Sequence, residues 1–574
     1  MKIQTCLTIA LICLLSNFHI NAQNKDPRTR TYITPTRIVW KNDGGGKLIE
    51  NLNVLLSKGN GQSDLGRNPV CVLKSSRDAH TSILLDFGKE MQGGIRIVTG
   101  ASSTQLPIHI QVCFGESVSE AMSAIGDGKG STNDHAVRDF GMKLPWLGVA
   151  EAGNTGFRFV RIDLLDSDVN LLLKEVSAVS VQRDIPYLGS FTCNDQRLND
   201  IWKTGAYTVH LNMQEYLWDG IKRDRLVWVG DMHPEVMTIN SVFGYNEVVP
   251  KSLDLARDIT PLPGWMNGIS SYSLWWILIQ KDWYMYQGNL DYLKQQKPYL
   301  VQLLKILLTK VDDSGKEHLD GGRFLDWPSE ENRPGVDAGL QALLLMTFDA
   351  GSDLCSVLGE NKVSSDCQAM ASRMKKYSPD PHESKQAASL MSLAGLMDPE
   401  KANQDVISVG GAKNFSTFYG YYMLQAQAKA GDYQMALDNI RNYWGAMLDM
   451  GATTFWEDFN LDWLPNAAPI DELVPAGKKD IHGDFGAYCY KNLRHSLCHG
   501  WASGPTAWLS EHVLGVQVLE PGCKKLLIEP HLGDLTWVKG TFPTPYGVVE
   551  ISHEVVNGKV KTKVKAPKGV EVVY

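Results

Sequence analysis

The chain has 574 residues, of which 43% are hydrophobic and 21% charged, a balance that suits a folded globular protein and excludes a disordered or fibrous one. Domains rarely exceed about 300 residues, so one small core is excluded as well and about three units are expected. The formal charge is −8, from 56 basic and 64 acidic residues, with no basic stripe, and nucleic acid is not expected as a partner.

The first 22 residues read as a leader. Lys2 precedes an apolar run from Leu7 to Leu15, and Ala22 supplies a small residue at a plausible cut. This predicts a cleaved secretory signal over residues 1–22, a secreted or periplasmic protein, and no membrane association once the leader is removed. The run is too short to span a bilayer, and no later stretch reaches about 18 uninterrupted apolar residues. Eight cysteines follow the leader, none at two-residue spacing. No metal and no cofactor are expected, and most of the cysteines read as buried small hydrophobes.

Residues 30–190 are broken by Gly, Pro, Asn and Ser, with short alternating runs between them, such as Ile95–Val98, Ile108–Val112 and Phe157–Ile162. These predict an N-terminal β-sandwich with a long loop over 115–140. From about residue 195 to 515 the period becomes helical, as in Asp291–Lys310, where leucines recur at three- and four-residue steps. About ten to twelve helices are expected, several joined by short turns such as Gly288-Asn289 and Gly431-Asp432. No fixed repeat is present, which disfavours a solenoid and favours a closed α/α barrel. Strands return over 516–574, with a hairpin signal at Asn557-Gly558. The predicted order is β-sandwich, (α/α)6 barrel, small C-terminal β-sandwich.

Three segments of the helical region concentrate reactive side chains. Residues 219–235, DGIKRDRLVWVGDMHPE, bring Asp219, Asp224, Asp231 and Glu235 together with Arg223, Arg225 and Trp228. On composition alone such a cluster reads first as a solvated face, Asp231 as a plain N-cap, and Trp228 as core. The second segment, 451–463, places Glu457 and Asp458 in a loop after the helix Tyr433–Met450. The third, 495–509, puts His499 just ahead of a helix of small residues; alone it reads as a structural histidine. Together they hold acids, cations and flat aromatics, the mixture a sugar site needs: aromatic faces for the apolar face of a pyranose, charged groups for its hydroxyls. Cleavage of a glycosidic bond then needs two carboxyl groups, one donating a proton and one ionised.

On these residues the chain resembles the bacterial α-L-rhamnosidases of glycoside hydrolase family 78. Their hallmark, an acidic residue followed by Arg-x-Gly-Trp-x-Gly-Asp, is similar to Asp224-Arg225-Leu226-Val227-Trp228-Val229-Gly230-Asp231. Their Gly-Ala-Thr-Thr-x-Trp-Glu is matched by Gly451–Glu457, and their Asn-His by Cys498-His499. Weaker echoes are Asp86-Phe87-Gly88, Gly156–Val160 and Asp326-Trp327. The resemblance implies Asp224 as general acid and Glu457 as general base. Asp219, Asp231 and Arg223 or Arg225 would hold the sugar hydroxyls, and Trp228, Trp327 and His499 would line the subsite. It also implies inversion of configuration, with roughly 6.5 to 9.5 Å between the two carboxyls for a water.

The chain departs from that pattern where Gly220-Ile221 replace Cys-Pro, Val227 replaces Gly, and Asp224 is one methylene shorter than the usual Glu. The function implied is an exported exo-acting hydrolase that removes terminal α-L-rhamnose from an oligosaccharide or other glycan. A related barrel glycosidase for another sugar or a uronic-acid linkage, and a non-catalytic sugar-binding homologue, stay open. So does the choice between Glu457 and Asp458 as base, with Asp458 read as a structural partner for an arginine.

Overall fold

The structure, a computed structural model, describes residues 26–574 apart from 67 and 68. The expected leader at residues 1–22 lies outside the described residues. Among those described, no helix is long and apolar enough to cross a membrane.

The N-terminal region is one hydrogen-bonded network of nine strands. Two runs that look separate in the sequence, Ile83–Leu85 and Ile95–Val98, are lengths of a single strand, Ser82–Thr99. It pairs with Val149–Leu164 along one edge; the other edge meets Arg37–Asn42 first and Asn170–Arg183 further on. All these pairs are antiparallel. Alternation explains the core: Ile83, Leu85, Ile95 and Ile97 turn to one apolar cluster with Val160, Ile162 and Leu164. The inward face of Val149–Leu164 changes phase between Phe157 and Val160, beside the irregularity where Met91 and Asp86 pair with Phe157 and Phe159. The 115–140 segment is not loop throughout, since Ser117 caps a short helix, Val118–Met122.

Twelve α-helices lie between residues 196 and 508. The turns expected at Gly288-Asn289 and Gly431-Asp432 are chain reversals. Gly288 ends Ser270–Gln287 in the left-handed region that glycine enters freely, and Asn289 caps Leu290–Leu308. Six helices touch in a closed cycle: Met232–Val242, Ser270–Gln287, Arg333–Val357, Lys385–Ala394, Gly420–Lys429 and Gly504–Trp508, the last returning to the first. Their burial shows why they lie inside. Every residue of Met232–Val242 is buried, whereas the neighbouring Val248–Asp258 buries a single face and carries its charges outward.

The C-terminal region has a four-stranded antiparallel sheet and a three-stranded mixed one. The first sheet recruits Ser190–Cys193, the strand that leads out of the N-terminal region, alongside Trp537–Thr544. Phe542, Val549 and Ile551 share one continuous apolar cluster with the helices, so the β ending is packed into the helical core.

Candidate active site

The segment read as a solvated face is interior. Asp219, Lys222, Arg223, Asp231 and Glu235 are each less than 5% exposed. Asp219 folds the chain back on itself by accepting the backbone N–H of Asp224 at 2.7 Å and of Leu226 at 3.0 Å. Asp231 starts the helix Met232–Val242 but does not cap it. One of its oxygens accepts the Tyr272 hydroxyl at 2.9 Å, and the other bonds His499 Nε2 at 3.1 Å.

Arg223 joins the two carboxylates that the motifs single out. Its Nη1 donates to Asp224 Oδ1 at 3.0 Å, and its Nη2 donates to Glu457 Oε2, a residue 234 positions away. The bonded oxygens are therefore no more than roughly 8 Å apart, the span of two hydrogen bonds and one guanidinium. Asp224 Oδ1 also meets His135 Nε2 at 3.2 Å, and its Oδ2 accepts the Trp228 indole N–H at 3.2 Å. Trp228 is thus a partly buried wall of the site and not core. Glu457 Oε2 also takes the backbone N–H of Ser496 at 3.2 Å.

These groups surround a cavity of about 380 Å³, within the size range of small-molecule sites. Asp219, Arg223, Asp224, Trp228, Asp231, Trp327, Glu457 and His499 all line it. Arg225 does not. Its guanidinium turns to the Asn154 carbonyl at 2.8 Å and lies 4.7 Å over the Trp218 ring, so of the two arginines only Arg223 faces the cavity. Asp458 is turned away as well. It accepts the Tyr488 hydroxyl, so its structural partner is a tyrosine where an arginine was expected. Tyr272, Phe324 and Tyr490, outside all three segments, and Trp501, inside the third but not singled out there, also line the cavity, as do Arg323, Glu330 and Arg333. Tyr490 is placed by the Arg223 guanidinium, 3.6 Å from its ring.

The charges divide the two acidic neighbours in the 451–463 loop. Burial alone would raise Glu457, but the Arg223 guanidinium and then His499 outweigh it and hold the carboxyl down at about 2. Asp458 has no such cation beside it among the described residues, and burial pushes it up to about 7. Burial likewise lifts Asp219 to about 7. Burial opposes charge on His499, yet Glu457 and Asp231 prevail and raise it. Glu235, with burial foremost and Asp231 next, is raised well above the ordinary range, and among the described residues neither of its oxygens has a hydrogen-bond partner.

The N-terminal sheet pins both reactive loops from behind. Arg158 forms a two-bond ion pair with Asp86, both bonds 2.9 Å, and donates to the Gly451 carbonyl at 2.9 Å. These are the residues of the weak motifs Asp86-Phe87-Gly88 and Gly156–Val160. Lys222, next to Arg223, reaches Glu116 at 3.1 Å, Glu120 at 3.3 Å and the Leu493 carbonyl at 3.0 Å. With His482, those glutamates bring three ligand-type atoms within 4.8 Å of one another. The ammonium, supported by Arg138 on Glu120, already supplies the positive charge there, and both His482 nitrogens are engaged. That chemistry suits an internal lysine and not a metal ion.

Comparison with known proteins agrees with the motifs. Residues 186–376 match the family model of the bacterial alpha-L-rhamnosidase 6 hairpin glycosidase domain, and residues 515–573 that of the bacterial alpha-L-rhamnosidase C-terminal domain. An alpha-L-rhamnosidase of Alteromonas sp. (strain LOR) is 24% identical over 558 residues, covering 87% of this chain and 56% of that protein. One from Formosa agariphila is 20% identical over 476 residues, covering 72% and 46%. The chain spans about half the length of these curated relatives. Among solved structures, the family 78 rhamnosidase of Bacillus sp. GL1 superposes with a TM-score of 0.72 at 23% identity, covering 88% of this chain and 54% of that one. A Klebsiella oxytoca rhamnosidase with rhamnose bound gives 0.67 at 20%, covering 85% and 96%. The resemblance to bacterial α-L-rhamnosidases is borne out, and the solved structures share the fold.

Proposed function

We propose that the chain is an inverting, exo-acting glycoside hydrolase that removes terminal α-L-rhamnose from a glycan outside the cytoplasm. The observation that carries this reading is the single guanidinium of Arg223 holding the Asp224 and Glu457 carboxyls at one cavity of sugar size. In this reading the closed cycle of six helices, with its outer partners, is an (α/α)6 barrel, and the cavity lies at one mouth of it. The names of the relatives supply the sugar, and the leader pattern supplies the export.

The sugar ring would stack on the aromatic wall of Trp228, Trp327 and Trp501, while Asp219, Asp231 and His499 bind its hydroxyls. Glu457, kept ionised by Arg223, takes a proton from a water that attacks the anomeric carbon. Asp224 gives its proton to the departing glycosidic oxygen, the C–O bond breaks, and the configuration inverts. The upper limit of roughly 8 Å set by the shared guanidinium leaves room for the roughly 6.5 to 9.5 Å that an inverting pair needs for that water.

Proton NMR of the first product from p-nitrophenyl α-L-rhamnoside tests both halves of the proposal. β-Rhamnose is expected. An α first product would overturn inversion, and release from another glycoside but not from the rhamnoside would overturn the substrate.

A further inference from the structure

The candidate active site shares a wall with a second cavity. Trp327 lines both, and the second, of about 350 Å³, is also bounded by Phe415, Phe459, Asn332, Asn460 and Lys385. Its rim carries Glu331 and Glu383, both exposed, whose charges solvent screens. Lys385 belongs to the lining yet is only 5% exposed. Its ammonium donates to the Gly411 carbonyl at 2.7 Å and lies 5.2 Å from the Phe415 ring centroid. Among the described residues it has no carboxylate within 4.0 Å. Buried cations are nearly always matched by an anion, because desolvation of an unmatched one is costly. Burial draws this lysine down to about 8, which leaves it mostly protonated at neutral pH. On the shared wall, the Trp327 indole N–H is also buried with no acceptor among the described residues.

A buried lysine with no carboxylate partner among the described residues, the rings of Trp327, Phe415 and Phe459, and the amides of Asn332 and Asn460 make a lining suited to a pyranose with an anionic substituent. We propose that this second cavity is a subsite for the sugar next to the cleaved one, and that Lys385 there selects a sugar bearing a negative group, either a uronate carboxylate or a sulfate ester. The proposal rests on the glycosidase reading above, since it takes its place in the substrate from the wall it shares with Trp327.

The test compares the wild type and Lys385→Met on p-nitrophenyl α-L-rhamnoside, α-L-rhamnosyl-glucose, α-L-rhamnosyl-glucuronic acid and a sulfated rhamnosyl-glucose. The wild type is expected to favour one acidic disaccharide over the neutral one by roughly tenfold or more in kcat/KM, the effect of a charge-assisted hydrogen bond. Lys385→Met should remove that preference through KM, and Lys385→Arg should retain it. Which acidic disaccharide responds separates carboxylate from sulfate. Equal rates on acidic and neutral disaccharides, or a Lys385→Met loss of the same size on all four substrates, would overturn the proposal. If nothing is cleaved, the glycosidase reading fails. Calorimetric titration of glucuronate into wild type and Lys385→Met then decides separately whether the cavity is an anionic-sugar site, and lysine-independent binding or no binding overturns it.

Discussion

Glu457 and Asp458 are adjacent in the chain and opposite in state, because one meets a guanidinium and the other a phenol. Replacing Glu457 by Gln keeps the shape and the backbone hydrogen bond from Ser496 but removes the carboxylate proposed as base. The kcat on an aryl rhamnoside is expected to fall by roughly 100- to 10,000-fold, and a fall of less than tenfold would remove Glu457 from that role. Asp458 has a consequence for stability. Its pKa is raised from 3.8 to about 7 by burial, so the folded chain holds a proton that the unfolded chain releases. Its favourable contribution is complete below about pH 4 and is lost as the pH rises through about 7, an effect of order 4 kcal/mol. Glu457 has the opposite sign: its pKa is lowered to about 2, so its contribution is present above about pH 4.5 and fails only near pH 2, outside that window. Asp458→Asn, which keeps an acceptor for Tyr488, should therefore gain thermal midpoint relative to wild type between pH 5 and pH 8. A difference that is flat with pH would show that Asp458 is ionised throughout.

At the scale of elements, the loops that carry Arg223 and Glu457 are tied to the N-terminal region. Gly451 begins the loop that ends in Glu457, and its carbonyl is tied to Arg158, itself locked on Asp86. Lys222 stands beside Arg223 and anchors the other loop on Glu116 and Glu120. Lys222→Met leaves two buried glutamates with Arg138 as their remaining cation, and such a break costs roughly 3–5 kcal/mol. Urea denaturation followed by tryptophan fluorescence should show the loss, and a change under about 1 kcal/mol would make the lysine dispensable. Arg158→Met acts differently, because Arg37 still pairs with Asp86 at 2.9 Å. Its effect is expected in catalysis, with kcat lowered by about 100-fold if the loop shifts by about 1 Å, and near-normal folding by circular dichroism. An unchanged kcat would mean that Gly451 is held without Arg158.

Over the whole molecule, the ending of the chain is part of the core. Ser190–Cys193 pairs only with the C-terminal sheet among the described strands, and Val538, Phe542, Val549 and Ile551 pack into the helical cluster. Each such side chain stabilises by about 1.5–3 kcal/mol when buried. A chain ended at residue 515 should therefore fail to give a soluble, cooperatively melting protein, and recovery of one with a sharp thermal transition would show that the helices stand alone. Much of this was legible beforehand because local pattern dictates local structure. Leucines at helical steps gave Leu290–Leu308, the Gly-Asn and Gly-Asp pairs gave the reversals, and alternation gave the strands, although not the joining of two runs into Ser82–Thr99. The paired motifs also named eight cavity residues, since the spacing of a catalytic loop is written in the chain. Burial was not legible. Residues 219–235 look solvated by composition, and their charges are tolerated inside only because partners from distant segments, Glu457, His499, Tyr272 and Glu116, arrive in space. For the same reason Arg225 could not be told from Arg223, nor Glu457 from Asp458: adjacent residues share a sequence context but point to different neighbours, and electrostatic environment is a property of neighbours in space.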